Sequence, residues 1–175
     1  PVGTKAASAH DMKREFFIQK TLHPQFPITP QVIALCEDQS IIGSDFYVMQ
    51  KIDGVIFRRE LPTGLSLNKQ EITLIGDLVI NGLVSLHHVD ATPLAQLSKG
   101  AGYVGRQVEG WSRRYRNALT SDVPDAQILM RWLDQNQPAD VASCVIHGDW
   151  RLDNLVFNLD KTPSLVGALD WELAT

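Results

Sequence analysis

The chain has 175 residues, 44% of them hydrophobic and 21% charged, with a net charge of −4. That length can bury about two-thirds of its unfolded surface in one core, and the composition excludes a disordered or fibrous chain. The acidic balance carries no footprint of a general nucleic-acid binder, and no apolar run approaches the ~20 residues a membrane helix needs. Cys36 and Cys144 lack the spacing of a zinc site or a disulfide framework. They read as two buried thiols in a reducing compartment, so a cytoplasmic protein without nucleic-acid or membrane partners is expected.

Residues 8–22, SAHDMKREFFIQKTL, are predicted to form a helix capped by Ser8 and stopped before Pro24, with Phe16, Phe17 and Ile18 on its buried side. QVIALCED and SDFYVMQKIDG are rich in β-branched and aromatic residues and read as two strands turning around Gly43. Ile72, Ile75, Val79, Leu83 and Leu86 then recur at helical spacing up to LHHVD and predict the main core helix. Further helices are expected over 104–119, with Trp111 and Tyr115 as core, and over 125–137. Short strands are expected at 143–146, 154–158 and 164–169, with LDKTP as the turn between the last two. The fold class is α+β.

The last of these regions holds CVIHGDWRLDNLVF, residues 144–157. Polar side chains at strand ends and in the loop between short strands converge on one point, which is how a rigid frame holds a site. Asp149 and Asn154 bracket the loop and Asp170 stands at the end of the third of these strands. Asn154 and Asp170 suit a hard cation such as Mg²⁺, which takes few protein oxygens and keeps other positions for water and phosphate.

Protein kinases use a catalytic loop of the form H-R-D-L-x-x-x-N followed by D-F-G. Here the residues are HGDWRLDN and then LDWE. With Gly148 for Arg and Trp171-Glu172 for Phe-Gly, the pattern resembles the aminoglycoside phosphotransferase family of kinase-like enzymes. REFF with Glu15 resembles that family's helix whose Glu pairs a phosphate-anchoring Lys. FYVMQKIDG resembles its hinge, and YVGRQVEGWSRRY is similar to the branch related to the kinase domain of acyl-CoA dehydrogenase family proteins.

The resemblance implies a kinase-like two-lobe fold in one domain over 1–175, with a remnant of the small nucleotide lobe and hinge in 1–53 and the larger catalytic lobe in 54–175. It implies an ATP- and Mg²⁺-dependent transfer of phosphate to a hydroxyl of a small molecule, a hydroxyacyl-CoA or an aminoglycoside-like compound. Asp149 would be the base, Arg151 would reach the transferring phosphate, and Asn154 and Asp170 would hold the metal. Glu15 and the backbone of Met49, Gln50, Lys51 and Ile52 would serve the nucleotide, and His147 would brace the loop. A nucleotide-binding module without catalysis and a metal-dependent phosphoesterase are the competing readings of the same acids.

Neither a P-loop nor a G-x-G-x-x-G loop is present in the sequence. The resemblance places the glycine-rich loop and its Lys before Pro1, with Lys5 and Lys13 too near Glu15 to replace it. The expectation is a fragment of a longer kinase whose small sheet has an open edge, which invites pairing between copies as a homo-oligomer. Gly148, in place of Arg, predicts no switch by a phosphorylated activation loop.

Overall fold

Helix α1 spans Met12–Leu22, and its cap is Asp11, whose side chain accepts the Arg14 N–H at 3.0 Å. It is the first element of a computed structural model that describes residues 11–175; the predicted cap Ser8 lies outside the described residues. Ile18 and Leu22 are buried, whereas Phe16 and Phe17 are only half-buried. Their place on the inner face is shared by Glu15 and Gln19, a polar pair that apolar spacing alone does not reveal.

The described part of residues 1–97 forms one compact unit with Cys144–Thr175, and Ser98–Ser143 form another. In the first unit, β1 (Val32–Cys36) and β2 (Phe46–Met49) pair antiparallel, with Cys36 opposite Phe46. They are joined by the four-residue helix α2 (Gln39–Ile42), which Gly43 closes at φ 84°, a conformation that costs glycine nothing. Residues 50–54 then carry the chain to β3 (Val55–Ile56), the edge of a second antiparallel sheet ordered β3-β4-β5, with β4 at Leu155–Asn158 and β5 at Ser164–Ala168. Gly54 permits the crossing: a Cβ there would lie 2.7 Å from the Phe157 carbonyl oxygen.

Helix α3 (Lys69–His87) starts with a reciprocal capping box between Asn68 and Glu71, which satisfies two end N–H groups. Ile75 and Leu86 are buried, and Val79 and Leu83 half-buried, but Ile72 of the same predicted stripe is 57% exposed. The core of this unit gathers Leu22, Leu86, Leu155, Phe157 and Trp171. Residues 143–146 do not form the expected strand. One edge of β4 is taken by β3 and the other by β5, so the segment pairs only at Ile146, which exchanges two backbone hydrogen bonds with Thr175 at 2.7 and 2.8 Å. Cys36 and Cys144 are free and half-buried rather than buried.

In the second unit α4 (Tyr103–Asn117) packs against α5 (Gln127–Gln135). The two helices enclose a cleft of about 590 Å³ lined by Val108, Trp111, Tyr115, Leu129 and Met130. Trp111 is not core: it is 63% exposed, with the Arg114 guanidinium 4.7 Å from its ring centre. Tyr115 is half-buried. Two helices alone have no third layer to cover such side chains. Among the described residues no helix is long and apolar enough to cross a membrane.

Candidate active site

The loop between Ile146 and β4 turns at Gly148, whose φ is +87° and where a Cβ would lie 2.7 Å from Leu173 Cβ and 2.8 Å from its carbonyl oxygen. Glycine is therefore required twice over, by backbone conformation and by space. The chain then forms a single 3-10 turn over Leu152–Asn154 and enters β4. The Asn154 amide Nδ2 donates to the Asp149 carbonyl at 3.0 Å and to its Oδ2 at 2.9 Å. This contact holds the Asp149 carboxylate in one orientation and leaves the Asn154 Oδ1 as the side chain's open acceptor.

A second set of bonds ties the loop to the end of β5. The Leu169 N–H donates to the Asn154 carbonyl at 2.8 Å. His147 Nε2 lies 3.0 Å from the Leu169 carbonyl oxygen and Nδ1 accepts the Asp149 N–H at 3.3 Å. An acceptor facing Nε2 and a donor facing Nδ1 place the ring proton on Nε2. Burial holds the imidazole below its ordinary pKa, against the Leu169 carbonyl and the charges of Asp170 and Asp149, so the ring is neutral and braces the loop. Trp171 covers it at 4.6 Å between ring centres and donates Nε1–H to the Ala168 carbonyl at 2.8 Å.

Asp170 follows directly from this anchored strand end. Its φ is 65°, the one left-handed non-glycine among the described residues. The carboxylate is exposed, and no described residue hydrogen-bonds it. Its charge nonetheless reaches His147, Glu15 and Tyr47.

Glu15 sits on the inner face of α1. Its Oε1 accepts the Tyr47 hydroxyl at 2.8 Å, and Gln19 donates to the same hydroxyl at 2.8 Å. Burial raises the Glu15 pKa, opposed by the Tyr47 hydroxyl and the Trp171 N–H and assisted by the charges of Asp170 and Glu172. Burial and then Glu15 also push the Tyr47 hydroxyl up. Beside it, the Arg14 guanidinium donates to the carbonyls of Glu172, at 3.0 Å, and Ala174. Helix α1 thus grips the backbone on the far side of Asp170. Lys13 pairs with Glu37, and Lys5 lies outside the described residues.

The predicted hinge residues divide. Met49 ends β2, and the Gln50 N–H is committed to the Gln31 carbonyl at 2.8 Å, so a ligand there would have to use other backbone groups. Lys51 pairs with Asp53, both largely exposed. Ile52 lies over Gly167, where a Cβ would come 2.9 Å from Ile52 Cδ1, and so borders the strand that leads to Asp170. Arg151 pairs with Asp153 rather than with Asp149. Arg14 and Tyr47 were not singled out by sequence: their partners are far along the chain, and Tyr47 reads only as a strand aromatic.

Asn154 Oδ1 and the Asp170 carboxylate are oxygen donors of the type that a small hard cation takes; among the described residues no group of three or more His, Cys, Asp or Glu that could hold a metal ion is found.

A model of the phosphotransferase enzyme family matches residues 2–175. The chain belongs to this family. It is 40% identical over 177 residues to mouse acyl-CoA dehydrogenase family member 10 and 39% identical over 179 residues to human member 11. Both alignments cover all of this chain, which spans only 16% and 22% of those relatives. Among solved structures, a Ralstonia eutropha protein described as an aminoglycoside phosphotransferase matches with TM-score 0.81 and 34% identity over 94% of this chain and half of its own. An aminoglycoside phosphotransferase solved with GDP and kanamycin matches with TM-score 0.68 at 14% identity, over 95% of this chain and 59% of its own. The chain therefore has the kinase-like α+β fold that its HGDWRLDN loop implied.

Proposed function

We propose that this phosphotransferase moves the terminal phosphate of ATP to a hydroxyl of a small molecule, with a hydroxyacyl-CoA or an aminoglycoside-like compound as the acceptor classes. The reading is supported by the bond from Asn154 to Asp149 together with the Leu169 N–H bond to the Asn154 carbonyl, one residue before Asp170. Asp149 orients the acceptor hydroxyl and takes its proton as the new oxygen–phosphorus bond forms and the bond to the ADP oxygen breaks. Asn154 Oδ1 and Asp170 hold Mg²⁺, which neutralises charge on the phosphates. His147 stays neutral and keeps the loop in place, Ile52 borders the nucleotide base, and Arg151 reaches the phosphate once released from Asp153. Nucleotide use is supported by the GDP present in the neighbour of the same fold.

The test is a titration of ATP, with and without Mg²⁺, followed by tryptophan fluorescence and by acceptor-dependent ADP release. Mg²⁺-dependent saturation that Asp170→Asn loses is expected. Asp149→Asn should retain that saturation and lose about 10²–10⁴-fold in turnover. Full turnover by Asp149→Asn would remove this residue from its role.

A further inference from the structure

Next to the catalytic loop lies a recess of about 250 Å³ lined by Phe57, Arg58, Arg59, Glu60, Leu61, Leu67, Ile72, Ile75 and Leu152. Leu152 belongs to the 3-10 turn between Asp149 and Asn154, so one wall of the recess is the loop that carries the proposed base. Phe57 and Ile75 are buried at its floor. Around the rim Leu61, Ile72 and Leu152 are 49%, 57% and 42% exposed. Apolar side chains left open to water around a concave surface mark a binding site more often than chance exposure does.

The polar part of the lining is basic. Arg58 and Arg59 follow β3 after the buried Phe57 and are exposed. Neither makes a hydrogen bond or ion pair with any described residue, and Glu60, the only acid in the lining, neutralises neither. Two guanidinium groups lining one recess are well suited to carboxylate or phosphate, which they bind through paired N–H donors. A polycationic amino sugar would meet like charge here.

We infer that this recess is a specificity subsite for the acceptor: Arg58 and Arg59 bind an anionic group, carboxylate or phosphate, while Leu61, Ile72 and Leu152 cover an apolar segment of the same molecule. The inference rests on the proposed phosphotransfer at Asp149 and narrows it, because it selects an anionic, partly apolar hydroxy compound over an aminoglycoside. It gives a role to the exposed Ile72, which lies on α3 one turn before the buried Ile75.

Binding is measured by calorimetry, apart from turnover, with three probes: 3-hydroxybutyrate for a carboxylate, 3-hydroxybutyryl-CoA for a phosphate-bearing thioester, and kanamycin. The expected result is saturable binding of an anionic probe that weakens with salt. The double variant Arg58→Ala/Arg59→Ala should weaken it roughly tenfold or more and Arg58→Lys/Arg59→Lys by less, with ATP affinity unchanged in both. Whichever anionic probe binds identifies the source of the charge. Kanamycin binding more tightly than both anionic probes, neither anionic probe binding, or equal binding by the double alanine variant would each overturn the subsite. A lack of Mg²⁺-dependent ATP binding in the parallel titration would instead count against the phosphotransfer reading, so the two failures are distinguishable.

Discussion

Single positions in the loop owe their identity to local sterics and local charge. Gly148 stands where protein kinases carry Arg, and the contact with Leu173 is the reason no side chain fits. Gly148→Ala should destabilise the fold by about 1–2 kcal/mol for the left-handed backbone and by about 1–3 kcal/mol more for the overlap, seen as a lowered denaturation midpoint. Asp170 shows the reverse balance. Its φ of 65° is a strained setting for a residue with a Cβ, of the kind stored at functional sites. Asp170→Gly is expected to leave the protein as stable or up to about 1 kcal/mol more stable, while abolishing Mg²⁺-dependent nucleotide binding. A clear loss of thermal stability in Asp170→Gly would mean that the carboxylate is a structural group. The signs of both effects come from backbone angles that residue types only hint at.

At the scale of elements, the segment from Leu169 to Ala174 is held from two sides. The loop before β4 holds Leu169 through Asn154 and His147, and α1 holds Glu172 and Ala174 through Arg14. Asp170 sits between the two anchors. Arg14→Met should therefore loosen the Trp171 environment and weaken Mg²⁺-dependent ATP binding several-fold. Arg14→Lys should recover part of the loss, because a single ammonium can satisfy one carbonyl but not the fork. Unchanged metal dependence in Arg14→Met, with only a lower melting temperature, would reduce Arg14 to a structural residue. The paired strands β1 and β2 and the long helices around this arrangement were legible in sequence, since runs of β-branched and aromatic residues and 3.6-residue spacing are local patterns. The absence of a strand at 143–146 was not legible, because it depends on which partner occupies each edge of β4.

For the whole molecule, the buried His147 links stability to pH. Its pKa is lowered in the folded state by burial, so over the range between that value and the ordinary ~6.5 the unfolded chain binds more protons. The contribution of His147 is complete above ~6.5 and is lost as pH falls from there through the folded value. Denaturant unfolding at several pH values should show this loss for the native protein. It should be absent over the same window in His147→Gln, a variant that has no titrating ring, even if that variant is less stable throughout. An identical pH dependence in both proteins would assign the effect to other groups.

By itself the sequence determined the α+β class and the family, and it singled out Asp149 and Asn154 in one loop and Asp170 after the strand that ends at Ala168 as candidates. These follow from residue type and short spacing, which a linear chain displays directly. Tertiary structure alone decided that Asn154 grips Asp149, that His147 is neutral with its proton on Nε2, and that Glu15 faces Tyr47 and Trp171 instead of solvent. It also decided that Ile72 and Trp111 are exposed and that Arg58 and Arg59 stand beside Leu152. Each of these depends on groups distant in sequence meeting at hydrogen-bond or van der Waals range, and on burial setting their charge, which periodicity does not encode.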